Sequence, residues 1–272
     1  MIKYDFESKD LNHNFLLYIN KFVILSEDEQ KFIAKLLQMT DAYIFGGVIS
    51  NYFLSFPRKV PRDVDIVISK MNVKIERLLN RYLKKRNRFN GYEMKIGNMQ
   101  YDIWKTEKTW TLYKNPILQK EGKELFLPET VFFNITSCIY DLNRKELLLH
   151  RRFKNGINNG EINIINEDNP YPELCVVKAM EYRETYKLRL ADNLMWYILK
   201  HGKKISRSEY ENAQISHYGY KKYSNAQINI FIINIEKYLG NPKSILNKNN
   251  QMELVRTKDF KKVKGKTVYN QY

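Results

Sequence analysis

From Glu27 to Met39 the apolar residues Phe32, Ile33, Leu36 and Leu37 recur at helical spacing behind Ser26-Glu-Asp-Glu, a serine able to cap and acids suited to a first turn. That spacing predicts an opening helix. The short apolar run Ala42 to Phe45 stops at Gly46-Gly47, and Val48 to Phe56 resumes the helical period, a strand–tight turn–helix pattern. After the basic loop Pro57 to Arg62, the β-branched segment Asp63 to Ser69 reads as a strand whose first residues alternate, so Asp63 and Asp65 share one face. Lys74 to Arg88 reads as a basic amphipathic helix with Ile75, Leu78, Leu79, Tyr82 and Leu83 on its apolar side. Two strands follow, Glu93 to Ile96 and Gln100 to Lys105, joined by a Gly97-Asn98 turn, and the second carries Asp102.

Beyond Pro128, Val131 to Leu142 is mixed in pattern, and a basic segment at His150 to Lys154 precedes a Gly/Asn-rich turn expected at Asn155 to Gly160. From Pro172 the pattern is helical, through Leu174, Val177, Met180, Leu194 and Leu199 to Ile228–Leu239. The organisation expected is α+β: residues 1–150 as a mixed sheet flanked by helices, 151–246 as a mainly helical unit, and 247–272 as a basic tail.

The 272 residues hold 46 Lys and Arg against 30 Asp and Glu, a formal net charge of +16, and a hydrophobic share of 43% is ample for a core. An excess of that size points to a polyanionic partner, nucleotides or nucleic acid first, although a Lys-, Asn- and Tyr-rich genome would inflate the same residues. No apolar run reaches the roughly 18 to 20 residues of a membrane span, and the first residues carry no basic-then-apolar leader, so a cytoplasmic protein without membrane insertion is expected. Cys138 and Cys175 stand far apart in apolar surroundings, which suggests neither a disulfide framework nor a zinc site.

The chemistry lies in one ordered constellation: Gly46-Gly47, then Asp63-x-Asp65, then Asp102 on a later strand. Two acids at i and i+2 on a strand project to one side, and a third from a neighbouring strand completes an oxygen-ligand set for hard divalent cations. Two such ions suit an in-line phosphoryl transfer. Paired glycines at a helix start let backbone N–H groups approach a triphosphate, and Ser50 and Asn51 stand one turn in as added donors.

These residues resemble the nucleotidyltransferase superfamily typified by DNA polymerase β, and more closely the head of bacterial poly(A) polymerases and CCA-adding tRNA nucleotidyltransferases. The resemblance continues in Phe133-Asn-Ile-Thr-Ser-Cys-Ile-Tyr140-Asp141, which looks like a diverged DFTINALAYD segment, and in Val177-Lys178-Ala179-Met-Glu-Tyr182, which looks like the LRAxRF stretch of the neck. It runs from about Ala42 to Leu190. It implies a mixed head sheet with a helical neck and body, two Mg²⁺ ions (Mn²⁺ as substitute) held by Asp63, Asp65 and Asp102, and an NTP or dNTP seated by Gly46, Gly47 and Ser50. Arg58, Lys59 and Arg62 before the acidic strand, with Lys178 and Arg183 from the neck, are the candidate triphosphate cations. The sequence departs from the family where Val48-Ile-Ser-Asn-Tyr52 replaces its arginine and aspartate and where Tyr171-Pro172-Glu-Leu-Cys175 replaces its base-reading EDxxR, so nucleotide choice of the CCA type is not implied.

The activity expected is template-independent addition of nucleoside monophosphates to a hydroxyl, with a single-stranded nucleic acid as acceptor or product and a homo-oligomer as a possible assembly. Tyr272, on a polar basic tail, is a second candidate acceptor, with Tyr269 beside it. That build is similar to protein-primed nucleotidyltransferases of bacterial anti-phage systems of the Hailong kind. The alternatives are a non-catalytic nucleic-acid-binding relative and a toxin-type enzyme that places one nucleotide on a tRNA or protein.

Overall fold

The computed structural model describes residues 3–87, 90–109, 111–112 and 123–240. The described residues divide into two compact units, one within residues 3–160 and 164–168 and one within residues 161–163 and 169–240.

In the first unit, four helices surround the early strands: α1 (Leu11–Phe22), α2 (Glu27–Leu37), α3 (Gly47–Leu54) and α4 (Val73–Asn80). Helix α2 begins as its sequence dictates. Ser26 accepts from the Glu29 amide while Glu29 reaches back to the Ser26 amide, a reciprocal cap contributing about 1 kcal/mol. Among the described residues, seven strands form one mixed sheet: β1 (Ala42–Phe45), β2 (Asp63–Ile68), β3 (Leu83–Arg86), β4 (Tyr92–Ile96), β5 (Met99–Lys105), β6 (Cys138–Asp141) and β7 (Glu146–Leu149), in the order β3-β4-β5-β2-β1-β6-β7. The β2–β5 pair is parallel and the other pairs are antiparallel.

Strand alternation gives the sheet two different faces. Val64, Ile66, Ile68, Tyr101 and Ile103 point into the main core with Phe15 and Ile19 of α1, Phe32 and Leu36 of α2, Ile49 and Phe53 of α3, and Ile75 and Leu79 of α4. The opposite face has a smaller apolar cluster of Val67, Leu112, Leu127 and Ile139, with Tyr43, Phe45 and Trp104 against it. The odd-numbered acids of β2 share that second face.

Three segments differ from the sequence reading. Helix α1 precedes the opening helix expected at Glu27; it buries Phe15, Tyr18 and Ile19, but intervening Asn and His dilute the period. The helix expected from Lys74 to Arg88 ends at Asn80, because Leu83–Arg86 pairs with β4 and this tertiary pairing overrides local helix preference. The turn expected at Asn155 to Gly160 is helix α5 (Arg151–Asn159): Phe153 and Ile157 bury one face, and Gly160, with φ +61°, provides the left-handed stop. Helix α5 therefore lies in the first unit, one helix beyond the residue 150 boundary expected from sequence.

The second unit holds α6 (Pro172–Tyr186), α7 (Asp192–Gly202), α8 (Arg207–Tyr218) and α9 (Asn225–Leu239), with the short parallel pair β8 (Glu161–Ile162) and β9 (Arg189–Leu190). Glu181 of α6 anchors it, accepting from Tyr218 Oη at 2.6 Å and Lys222 Nζ at 2.7 Å. Burial alone pushes the Glu181 pKa up, but those two donors more than offset it and hold the carboxyl below its ordinary value. Residues 247–272, including Tyr269 and Tyr272, lie outside the described residues. Among the described residues no helix is long and apolar enough to cross a membrane.

Candidate active site

The site is assembled by the parallel pairing of two strands distant in sequence. In the β2–β5 register Asp65 stands opposite Asp102 and Asp63 opposite Gln100, so all three aspartates occupy one face of adjacent strands. Glu93 of β4 lies opposite Asp102 on the other side, adding a fourth carboxylate to the row. Antiparallel pairing of β1 with β2 matches Ile44 to Ile66, which puts the Gly46-Gly47 turn at the same end of the sheet as Asp63 and Asp65.

Electrostatics mark Asp102. Burial, then the negative charges of Asp63 and Glu93, push its carboxyl up to about 6, against smaller downward pulls from a Gln100 hydrogen bond and Arg62. Its Oδ1 atom is buried and accepts no hydrogen bond. A buried carboxylate oxygen left unpartnered beside two like charges is costly. A hard cation would relieve that cost, and the donor set of carboxylate oxygens suits Mg²⁺ or Mn²⁺. The carboxylates themselves are not gathered into a ready cage: among the described residues no three His, Cys, Asp or Glu side chains form a metal-holding group. Asp63 is instead turned to Arg62, whose Nη2 and Nε donate to Oδ2 at 2.6 and 3.0 Å. The three carboxylates are therefore aligned in backbone register, with one of them held by a neighbouring guanidinium.

The glycine turn has different demands at its two positions. Gly46 has φ +50°, and a Cβ there would sit 3.3 Å from the Thr136 carbonyl oxygen, so it needs both the backbone freedom and the space. Its N–H donates to the Cys138 carbonyl at 3.1 Å. Gly47 has nothing within 4 Å of the equivalent position, which leaves open room at the helix start.

Ser50 takes a part other than the triphosphate donor expected. It is buried, and its hydroxyl lies against the carbonyls of Gly46, at 3.0 Å, and Ile135. Ser50 thus ties the turn to the Phe133–Ser137 segment, the stretch whose sequence resembles the family's motif. Arg58 is likewise committed: its guanidinium stacks 3.9 Å above the Tyr52 ring, with Phe56 and Tyr18 nearby. Arg62 is the basic-loop cation that reaches the acidic row. Lys178 and Arg183 lie on α6 in the second unit. There the Lys178 ammonium is 5.5 Å from the Tyr182 ring centre, and burial lowers the Arg183 pKa, opposed by Glu184. Glu93 was not singled out in the sequence; a lone acid on a strand carries no signal until its pairing with the Asp102 strand is known.

No protein-family model and no curated protein sequence matches the chain. Solved structures do. A CCA-adding enzyme in complex with CTP superposes with a TM-score of 0.54 at 13% identity, over 76% of this chain and 50% of that one. An apo form of a CCA-adding enzyme gives 0.53 at 15%, over 76% and 49%. A tRNA nucleotidyltransferase complexed with a primer tRNA and an incoming ATP analogue gives 0.50 at 18%, over 66% and 53%. The chain spans about half the length of these proteins, and the likeness is one of fold.

Proposed function

We propose that this protein is a template-independent nucleotidyltransferase, and the observation that carries the reading is the register that sets Asp65 opposite Asp102 with Asp63 on the same face. An acceptor hydroxyl oxygen attacks the α-phosphorus of an NTP or dNTP, a new P–O bond forms, the α–β bridge breaks, pyrophosphate leaves, and the hydroxyl proton passes to water. Asp63 and Asp65 would hold both divalent ions, Mg²⁺ or Mn²⁺, and Asp102 would hold the one on the acceptor side. Such ions activate the hydroxyl and neutralise the leaving pyrophosphate. Gly46 sets the turn, Gly47 leaves room for the triphosphate, and Arg62 turns from Asp63 to the phosphates when the acids take up cations. The sequence resemblance also names Lys178 and Arg183 of α6 as phosphate-binding cations. The solved proteins of like fold carry CTP, an ATP analogue or tRNA, which supports a nucleotide donor and a nucleic-acid acceptor here.

Incubation with each labelled nucleotide and Mg²⁺, with and without RNA, should give extended RNA or labelled protein. Asp63→Ala/Asp65→Ala should lower incorporation by about 10³-fold or more, the scale on which a preorganised electrostatic site acts; full activity in that chain refutes the assignment. The finer reading, self-priming in the cytoplasm on the Tyr272 phenol within an anti-phage role, rests on sequence alone. It requires that Tyr272→Phe abolish label travelling with the protein, and persistence of that label removes it. The Arg62–Asp63 pair favours one other reading, a binding relative that no longer turns over, whose mark would be nucleotide or RNA binding without metal-dependent incorporation.

A further inference from the structure

On the helical side of the first unit, α2 and α4 flank an open groove of about 330 Å³ lined by Lys35, Lys74, Arg77 and Arg81 with Gln38, Met39 and Leu78. It opens away from the aspartates. Leu36, Ile75, Leu78 and Leu79 of these helices pack into the main core with the even-numbered residues of β2, on the face opposite Asp63 and Asp65. The lining is two helical stripes. Lys35, Gln38 and Met39 fall at i, i+3 and i+4 on and just beyond α2; Lys74, Arg77, Leu78 and Arg81 fall at i, i+3, i+4 and i+7 on α4 and its C-cap.

Four cations therefore face one concavity that contains no acid. Among the described residues none of the four has an ion-pair partner, whereas nearby Lys31 pairs with Glu27 at 2.6 Å and Lys84 and Lys85 both pair with Glu93. Glu76 projects from another side of α4, because i and i+2 do not share a helix face. Converging like charges with no counter-charge raise the local potential and recruit an anion. The shape and chemistry narrow the class. The seven-residue step from Lys74 to Arg81 spans about 10 Å, long enough for phosphates on successive nucleotides. Two guanidiniums suit paired phosphate oxygens, and Met39 and Leu78 give an apolar floor for a sugar or base.

We propose that this groove binds the sugar-phosphate backbone of a single-stranded nucleic acid, independently of base sequence. The proposal deepens the nucleotidyltransferase reading only by locating its strand, since binding here needs neither metal nor turnover.

The test is anisotropy of a 5′-fluorescein 15-nucleotide oligomer with the full chain in EDTA, titrated at several salt concentrations. Lys35→Ala/Lys74→Ala/Arg77→Ala/Arg81→Ala alters four exposed side chains, and its thermal melt checks folding. Binding should weaken at least tenfold at 0.1 M salt, and the slope of log Kd against log salt should fall by about 2 to 3, four contacts at about 0.7 each. A matched variant, Lys200→Ala/Lys204→Ala/Arg207→Ala/Lys237→Ala in the second unit, should change affinity less than threefold. Equal loss in both variants, or no loss in the first, overturns the groove. So does a first variant that loses binding to phosphatidylserine vesicles while keeping the oligomer. Asp63→Asn/Asp65→Asn should bind the oligomer within twofold while losing incorporation, so failure of the reaction and failure of the groove are read separately.

Discussion

Replacing Asp102 by Asn should stabilise the protein while abolishing the proposed nucleotidyl transfer. The folded carboxyl is pushed from the ordinary 3.8 to about 6, first by burial and then by Asp63 and Glu93. At 1.36 kcal/mol per pH unit that displacement corresponds to about 3 kcal/mol, and solvent screening at this partly exposed position reduces it to about 1–2 kcal/mol. The sign follows from proton linkage. An acid whose folded value is raised binds its proton more tightly when folded, so the parent loses stability as pH rises from about 4 through 6 and is flat above. Asp102→Asn has no such loss. In EDTA at pH 7 its first-unit transition should lie above the parent's by about 2–8 °C, at about 2–4 °C per kcal/mol, and the gap should close by pH 4. Saturating Mg²⁺ should reverse the order, since a cation at 100 times its Kd adds about 2.7 kcal/mol to the parent that binds it. Calorimetric scans across pH 4 to 8, with EDTA and with Mg²⁺, measure all three quantities. A variant no more stable than its parent at pH 7, with a pH-independent gap, would show that the acidic row is not strained and would remove the physical case for a cation there.

Gly46→Ala should destabilise by about 1–2 kcal/mol, the cost of a left-handed alanine, with the 3.3 Å approach to Thr136 added; Gly47→Ala should leave the denaturation midpoint nearly unchanged, and the reverse ranking in urea would refute the turn geometry. Ser50→Ala removes the donor facing two buried carbonyls and should cost about 1–3 kcal/mol, with nucleotide KM rising only if the turn itself moves. Tyr101→Phe deletes a buried hydroxyl that has no hydrogen-bond partner and should raise stability by up to about 1 kcal/mol, read by chemical denaturation. Glu181→Gln should lower the stability of the second unit above about pH 5, where the carboxylate held down by Lys222 and Tyr218 is charged; below its folded value the difference should vanish as the parent protonates.

Much of the site's skeleton was legible in the sequence because it rests on local rules. Alternation placed Asp63 and Asp65 on one side, a diglycine marked the turn, and Gly97-Asn98 marked the β4–β5 hairpin that returns Asp102 to the sheet. What depended on distant contacts was not legible. Ser50 looked like a free donor until the Phe133–Ser137 segment came to lie on it. Arg58 looked equivalent to Arg62, yet the Tyr52 ring captures one and Asp63 the other. Residues 83–86 satisfy a helical pattern as well as a strand, and only pairing with β4 decides between them. The Asn-rich α5 is helical because Phe153 and Ile157 find a core, not because its residues favour helix.

The alternation within β2 has an evolutionary corollary. Its even positions answer to the packed interior and its odd positions, at the start of the strand, to the opposite face, so drift at one set need not disturb the other. A descendant that abandoned catalysis would keep Val64, Ile66 and Ile68 under the same selection as a working one. On the proposed reading, the letters at 63, 65 and 102 would be the ones to separate the employed from the retired among such descendants.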